Sequence, residues 1–509
     1  MKRPTPFLFA FPLLLSLFAC GGPHSSQSSP SEDSSTSPSS EATPPLPEGI
    51  DLYAAPEAAA DGDGSKEKPY RFMDGVRNLL PGRTLWLLGG RYPFGTTQLI
   101  TASKSAPEIT DLYPATSEAE RRVIAPIVEN GVEAKVAFDF SSMTFASSNR
   151  GLSFSSDYWT LRNVEVYGAG DNGIYVGGNH NVIEGVDVHD CRDSGIQIGR
   201  KSSSDSSIET WPSFNLIKNC TSHDNHDVSG EDSDGFACKL TTGIGNVFDG
   251  CIAYNNVDDG WDLYAKGETG PIGPVTLRNC VAFNNGVTSY GVGTANSDGN
   301  GFKLGGEGIA VSHLVENCLA FDNLSCGFTD NSNPGTITMI GCTAYNNGTR
   351  DLDANNFDMC RDAATSANVY KNLLSICEGE RVSPIDGSKA KANSRDRYKG
   401  AADHCIFYSG LSMLKIGEIQ QVDFSKSGLC GSLYLEPEGK APFLATSSPQ
   451  PQPLAGVDAG SHPDIHRLWR AKDGSLKLGD FLKVNPASAF ARMGEGGAQL
   501  GADLSGEGK

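Results

Sequence analysis

The strongest constraint on this chain is a family of short near-copies. Five segments repeat: "NCTSHDN" from Asn219, "GCIAYNN" from Gly250, "NCVAFNN" from Asn279, "NCLAFDN" from Asn317 and "GCTAYNN" from Gly341. Weaker relatives begin at Asn163 ("NVEVYGA") and Gly185 ("GVDVHDC"). A second series follows: "NGIYVGG", "SGIQIGR", "DGFACKL", "DGWDLYA", "NGFKLGG" and "CGFTDNS". Its glycines stand at 173, 195, 235, 260, 301 and 327, so the gaps are 22, 40, 25, 41 and 26 residues. The short gaps share one period; the long ones are that period with an insertion. A period of this length, built from strand-like alternation and turn residues, means stacked units that bury their apolar sides only against neighbours. The leucine framework of leucine-rich repeats is absent, and propeller blades need longer units. The expected fold is all-β, a parallel β-helix whose coils rise by roughly 4.8 Å.

Stacking turns equivalent positions into columns. Val164, Val186, Cys220, Cys251, Cys280, Cys318 and Cys342 form one column of small apolar groups. Cysteine packs as a compact hydrophobe, so this column reads as core rather than as disulfides. Asn225, Asn256, Asn285, Asn323 and Asn347 form a turn column in which amides can bond from coil to coil. After the glycines, Ile174, Ile196, Phe236, Trp261, Phe302 and Phe328 point inward. Strand alternation then sends Tyr175, Gln197, Ala237, Asp262, Lys303 and Thr329 outward. The residues before the glycines also point outward: Asn172, Ser194, Asp234, Asp259, Asn300 and Cys326.

This alignment gathers Asp234, Asp258, Asp259 and Asp262 on one patch, with Lys303 a coil further on, over Asp262. Asp-Gly is a common turn pair, which accounts for Asp234 or Asp259 taken singly. It does not account for Asp262 on a strand or for Asp258 beside Asp259. Four carboxylates this close stay ionised only with cations, and a hard ion such as Ca²⁺ takes several oxygen ligands. Lys303 is either a surface lysine paired with Asp262 or a general base, which requires its pKa to fall toward the working pH. The insertions "HDVSGEDS" (226–233) and "GVTSYGVGTANSDG" (286–299) are expected on the same edge, flanking a groove. Arg200, Lys239, Tyr264 and Lys266 follow the outward columns and are candidate substrate contacts.

The net charge of −20 argues against nucleic acid as a partner and against electrostatic docking on an anionic bilayer. Lys2, Arg3 and the apolar run ending at Leu17-Phe18-Ala19-Cys20 read as an export leader, and Cys20 as the lipidated first residue of a mature lipoprotein. The expected location is therefore the outer membrane or cell surface, with the lipid anchor as the only membrane contact; a simply secreted protein is the alternative. Residues 21–47 are rich in Ser and Pro and cannot build a core, so they read as a disordered linker. Residues 48–355 are expected to form the β-helix core, and 356–509 coils and loops packing on it. In that last region "LGDFLKVNPASAFARMGEGGAQLGADLSG" suggests late strands. Cys360, Cys377, Cys405 and Cys430 lie outside the regular column and are possible disulfide partners in an exported protein.

"DSDGFACKL", "NNVDDGWDLY" and "GNGFKLGGEG" resemble, in order and spacing, the family-nine pectate lyases, secreted bacterial enzymes built on a right-handed parallel β-helix. The likeness covers about residues 48–350. "GSKEKPYRFMDGVRNLLPGRTLWLLGGRY" is similar to that family's N-terminal capping helix and first strand. The resemblance implies β-elimination on pectate (polygalacturonate), with Asp234, Asp258, Asp259 and Asp262 as Ca²⁺ ligands and Lys303 as the base, in a monomer. Three alternatives stay open. They are a lyase for another acidic polysaccharide, a hydrolase with paired carboxylates, and a non-catalytic Ca²⁺-dependent glycan-binding lipoprotein. The His-Gly motif expected of a polygalacturonase is absent downstream.

Overall fold

The computed structural model describes residues 49–100, 113–349, 355–361, 367–377, 380–382, 389–391, 396–409, 412–423, 441–447 and 469–506. The leader, Cys20, the linker and Cys430 lie outside these residues. Short strands stack in parallel as three long ladders that wrap one core. The first ladder contains Val182–Glu184, Leu216–Lys218, Asn246–Asp249 and Val275–Arg278. The second contains Asp187–His189, Thr221–His223, Ile252–Tyr254 and Val281–Phe283. The third contains Ile196–Ile198, Phe236–Cys238, Trp261–Asp262 and Phe302–Lys303. One helix, Phe72–Asn78, precedes the first regular coils and buries Phe72 and Val76 in the core, as the capping-helix expectation requires.

The expected columns form. Ile174, Ile196, Phe236, Trp261, Phe302 and Phe328 are register partners in succession, and all are fully buried. From Phe236 to Phe357 their rings stack at 4.7–5.0 Å. Each such side chain contributes about 1.5–3 kcal/mol by burial, and stacked pairs add roughly 0.5–1.5 kcal/mol. The preceding glycines are required by space: a Cβ on Gly260 would sit 2.6 Å from the Gly301 carbonyl on the next coil.

The asparagine column is a hydrogen-bonded ladder. Each amide donates to the next, from Asn225 through Asn256, Asn285, Asn323 and Asn347, at 2.8–3.0 Å. The ladder continues to Asn356, which the repeat alignment misses because no glycine-series segment announces its coil. The cysteine column is made of free, buried thiols; Cys220, for example, donates to the Ile183 carbonyl. The residue before each of these cysteines takes a left-handed turn: φ is 53° at Asn219, 70° at Gly250 and 54° at Asn279. That is why only Asn or Gly occupies it.

The C-terminal region differs from expectation in three respects. The parallel ladder runs on past residue 355 through Phe357–Met359, Asn368–Lys371 and Arg397–Asp403. Cys360, Cys377 and Cys405 are all buried, and Cys360 and Cys405 are free thiols. The segment from Lys477 onward forms isolated bridges, turns and two short 3-10 helices, Ala489–Arg492 and Glu495–Gly497, instead of strands. Its Gly and Pro content breaks the strand alternation. It does pack back on the β-helix, where Trp469, Phe481, Leu482 and Phe490 join a second apolar cluster over the second ladder.

Candidate active site

Asp234, Asp259, Asn300 and Cys326 occupy equivalent positions on successive coils, and Gly235, Gly260, Gly301 and Gly327 beside them bring the coils into contact. Asp234, Asp258 and Asp259 each place a carboxylate oxygen within 4.8 Å of the other two. All three are buried, and so is Asp262. Burial pushes each of the three carboxyls up and neighbouring carboxylates add to it, Asp298 and Asp262 in the case of Asp259, which reaches about 6, while the other two lie well beyond the usual carboxylate range. Such a group demands a cation. Oxygens at this separation can share one ion that takes ligands at about 2.3–2.6 Å. Asp262 lies outside the tight trio, yet its Oδ1 is buried with no hydrogen-bond partner, as expected of a further ligand atom. The donor set therefore fits a hard divalent cation.

Neighbours hold the carboxylates in place. The backbone and side-chain amides of Asn300 donate to Asp259 Oδ1 at 2.7 and 2.9 Å. The Ser194 hydroxyl donates to Asp234 Oδ2 at 2.9 Å. The Asp298 amide donates to Asp258 Oδ1 at 2.6 Å. Asn300 and Ser194 stand in the same outward column as the aspartates they support, so the repeat locates them without revealing their role.

Lys303 pairs in register with Asp262, as the alignment requires. Its ammonium goes elsewhere, to Asp259 Oδ2 at 3.1 Å and Asp298 Oδ2 at 2.9 Å. The pairing with Asp262, one of the two readings, does not form; Lys239 meets Asp262 Oδ2 at 3.1 Å and Asp234 Oδ2 at 2.7 Å. Burial works against the charge on Lys303. Asp259, then Asp262, Asp258 and Asp298, outweigh it and hold the ammonium well above the ordinary lysine value. Asp298 is the residue that sequence reasoning passed over. It stands just before "GNGFKLGGEG", near the end of the 286–299 insertion and outside every column.

The proposed substrate contacts separate. Lys239 is buried in the carboxylate cluster, paired with Asp234 and Asp262. Tyr264 does face Lys303, whose Nζ lies 5.7 Å from its ring centre. Glycine at 306 makes room for that ring, since a Cβ there would come within 2.2 Å of it. The Tyr264 hydroxyl donates to Glu307 at 3.1 Å. Lys266 pairs with Glu268 at 3.2 Å, and Arg200 donates to the Asp205 carbonyl at 3.4 Å. The two insertions lie on the same edge, as expected, and touch: Thr294 of the longer loop donates to the Ser229 carbonyl of the shorter at 3.1 Å. A cleft of about 1080 Å³ lies elsewhere, between Arg91, Glu133, Arg162 and Lys472, away from these carboxylates.

Comparison with known proteins identifies a family and relatives. The family model described as "Pel9A-like, right handed beta helix region" matches residues 52–372. The chain is 48% identical over 398 residues to a protein named Pectate lyase L from Paenibacillus polymyxa, covering 75% of this chain and 83% of that one. It is 36% identical over 307 residues to a Pectate lyase L from Thermoclostridium stercorarium, covering 60% of this chain and 23% of that longer protein. The crystal structure of pectate lyase Pel9A superposes with a TM-score of 0.61 at 23% identity, over 90% of this chain and 95% of that one, which establishes a shared fold.

Proposed function

Because the chain belongs to the Pel9A-like right-handed β-helix family, whose named relatives are pectate lyases, we propose that it is a polysaccharide lyase that cleaves 4-linked polygalacturonate by calcium-assisted β-elimination. The observation that carries the reading is Lys303 beside a buried oxygen cluster: three convergent carboxylates, a fourth with an orphan oxygen, and one lysine at their edge.

Asp234, Asp258, Asp259 and Asp262 would hold the ion. A bound divalent cation supplies Lewis acidity toward a uronate carboxylate, acidifying the adjacent C5 proton. Lys303 takes that proton on Nζ. The released electron pair forms the C4–C5 double bond, and the 4-linked oxygen leaves with its bonding pair. No water is added. Lys303 serves as a base only when the negative charge around it is neutralised, because those carboxylates now keep it protonated. Asp298 keeps Lys303 at the edge of the cluster when Asp259 is otherwise engaged. Tyr264 offers an apolar face beside the reacting position. The N-terminal sequence supports export with a lipid on Cys20, which puts the enzyme where the polymer is; metabolic labelling of Cys20→Ala with a fatty acid tests it by loss of label.

Incubating the protein with a panel of acidic polysaccharides tests the substrate. Polygalacturonate should yield a UV-absorbing unsaturated product with Ca²⁺ present. Product only from another uronate polymer would replace pectate as the substrate, and product from none would end the lyase reading.

A further inference from the structure

Lys239 is the most unusual residue in the site. A lysine is seldom buried, yet its side chain is only 8% exposed. Its Nζ bridges Asp234 Oδ2 at 2.7 Å and Asp262 Oδ2 at 3.1 Å, on adjacent coils. Each of those carboxylates therefore keeps one oxygen off the lysine. For Asp262 that is Oδ1, buried and unpartnered; for Asp234 it is Oδ1, which accepts a longer 3.3 Å bond from the Asp259 amide. The ammonium thus decides which oxygen of each carboxylate faces the space shared with Asp258 and Asp259.

It also sets the charge of that space. With every group ionised, four buried aspartates and two buried ammonium groups, Lys239 and Lys303, leave two negative charges. Asp193 and Asp298 lie at the margin and are partly in solvent. One divalent cation neutralises the buried set; a trivalent ion overshoots it.

We propose that Lys239 is a built-in counter-ion of the metal site: it orients Asp234 and Asp262 and makes the cavity selective for a single divalent cation. It is a positioning residue that touches no substrate, and the proposal rests on the metal reading given above. At a few ångströms a unit charge shifts ion binding by a large factor even at the effective dielectric of a protein. Ca²⁺ and Tb³⁺ are titrated calorimetrically into the metal-stripped full-length protein, and the ratio of their affinities is read. Lys239→Met, which leaves three negative charges, should raise the Tb³⁺/Ca²⁺ ratio by about tenfold or more. Asp262→Asn, which leaves one, should lower it by a similar factor. The double variant should return to within about threefold of the parent, since the charges again leave two. Should Lys239→Met fail to fold, the Asp262→Asn and double-variant arms still decide. Ratios unmoved in the variants that fold overturn the proposal alone. A parent protein that binds neither ion overturns the metal reading, and this proposal with it.

Discussion

The outward faces of the second and third ladders come from the same coils and meet opposite fates. On the second ladder, Tyr167, His189, His223, Tyr254, Phe283 and Phe321 stack ring on ring at 4.7–5.3 Å. The C-terminal segment covers the apolar end of this stack, with Trp469 5.1 Å from Phe283 and Phe481 5.0 Å from Phe321. On the third ladder the outward columns include Asp234, Asp259, Asp262 and Lys303, and among the described residues the C-terminal apolar cluster does not reach them. The difference teaches that a repetitive scaffold leaves its outer columns free. An apolar column is completed by the protein's own chain; the carboxylate column is only partly matched by its own lysines, and on the proposed function a bound cation completes it.

The largest expected break in this contrast is on the third ladder. Excess Ca²⁺ should stabilise the metal-stripped protein by about 3–4 kcal/mol at several hundred times its dissociation constant. Asp259→Asn should lose that gain, and calorimetric melting with and without Ca²⁺ reads it; an unchanged gain would put the ion elsewhere. Lys303→Ala should keep Ca²⁺ binding and lower kcat by about 10²–10⁴-fold, measured by initial rates of unsaturated product. A variant with full turnover would remove Lys303 from the reaction.

The second ladder should respond through stability instead. Trp469→Ala removes a buried ring from the strap and should cost about 3–5 kcal/mol in denaturant unfolding, with Ca²⁺ affinity intact. Its histidines add a pH dependence. Burial opposes their charge, but Asp190 and Glu165 raise His189 to about 9, and Asp187 and Asp224 raise His223 to about 10. A raised folded-state pKa gives stability that is complete below the unfolded value of 6.5 and is lost as pH rises through the folded value. Tm should therefore fall by about 5 °C or more between pH 7 and pH 10, and by less in His223→Phe. The smallest effect is expected where the two faces connect. Tyr290, on the long insertion, donates to Asp190 at 2.9 Å, at the edge of the histidine stack. Tyr290→Phe should cost about 0.5–1.5 kcal/mol of stability and change kcat by less than about threefold.

Much of this was legible in the sequence because repetition makes columns visible. Trp261 inward with Asp259 and Asp262 outward follows from the glycine series alone, and so does Lys303 one coil beyond Asp262. What escaped was set by side-chain length and by loops. Lysine is long enough to leave its own column, so Lys239 reaches back to Asp234 and across to Asp262, and Lys303 passes Asp262 for Asp259. Asp298 enters from an insertion whose position no repeat encodes. The strap from Trp469 onward has no period, so its docking on the second ladder could be suspected but its bridges and short helices could not be placed.

The central claim is that the third-ladder cluster performs an ion-dependent elimination. The most direct measurement is the mass balance of a defined oligogalacturonate cleaved by the full-length protein, with Ca²⁺ and with excess chelator. The account predicts two products whose masses sum to that of the substrate when Ca²⁺ is present, and no cleavage with chelator. Products heavier in sum by one water, or cleavage that persists with chelator, would contradict it.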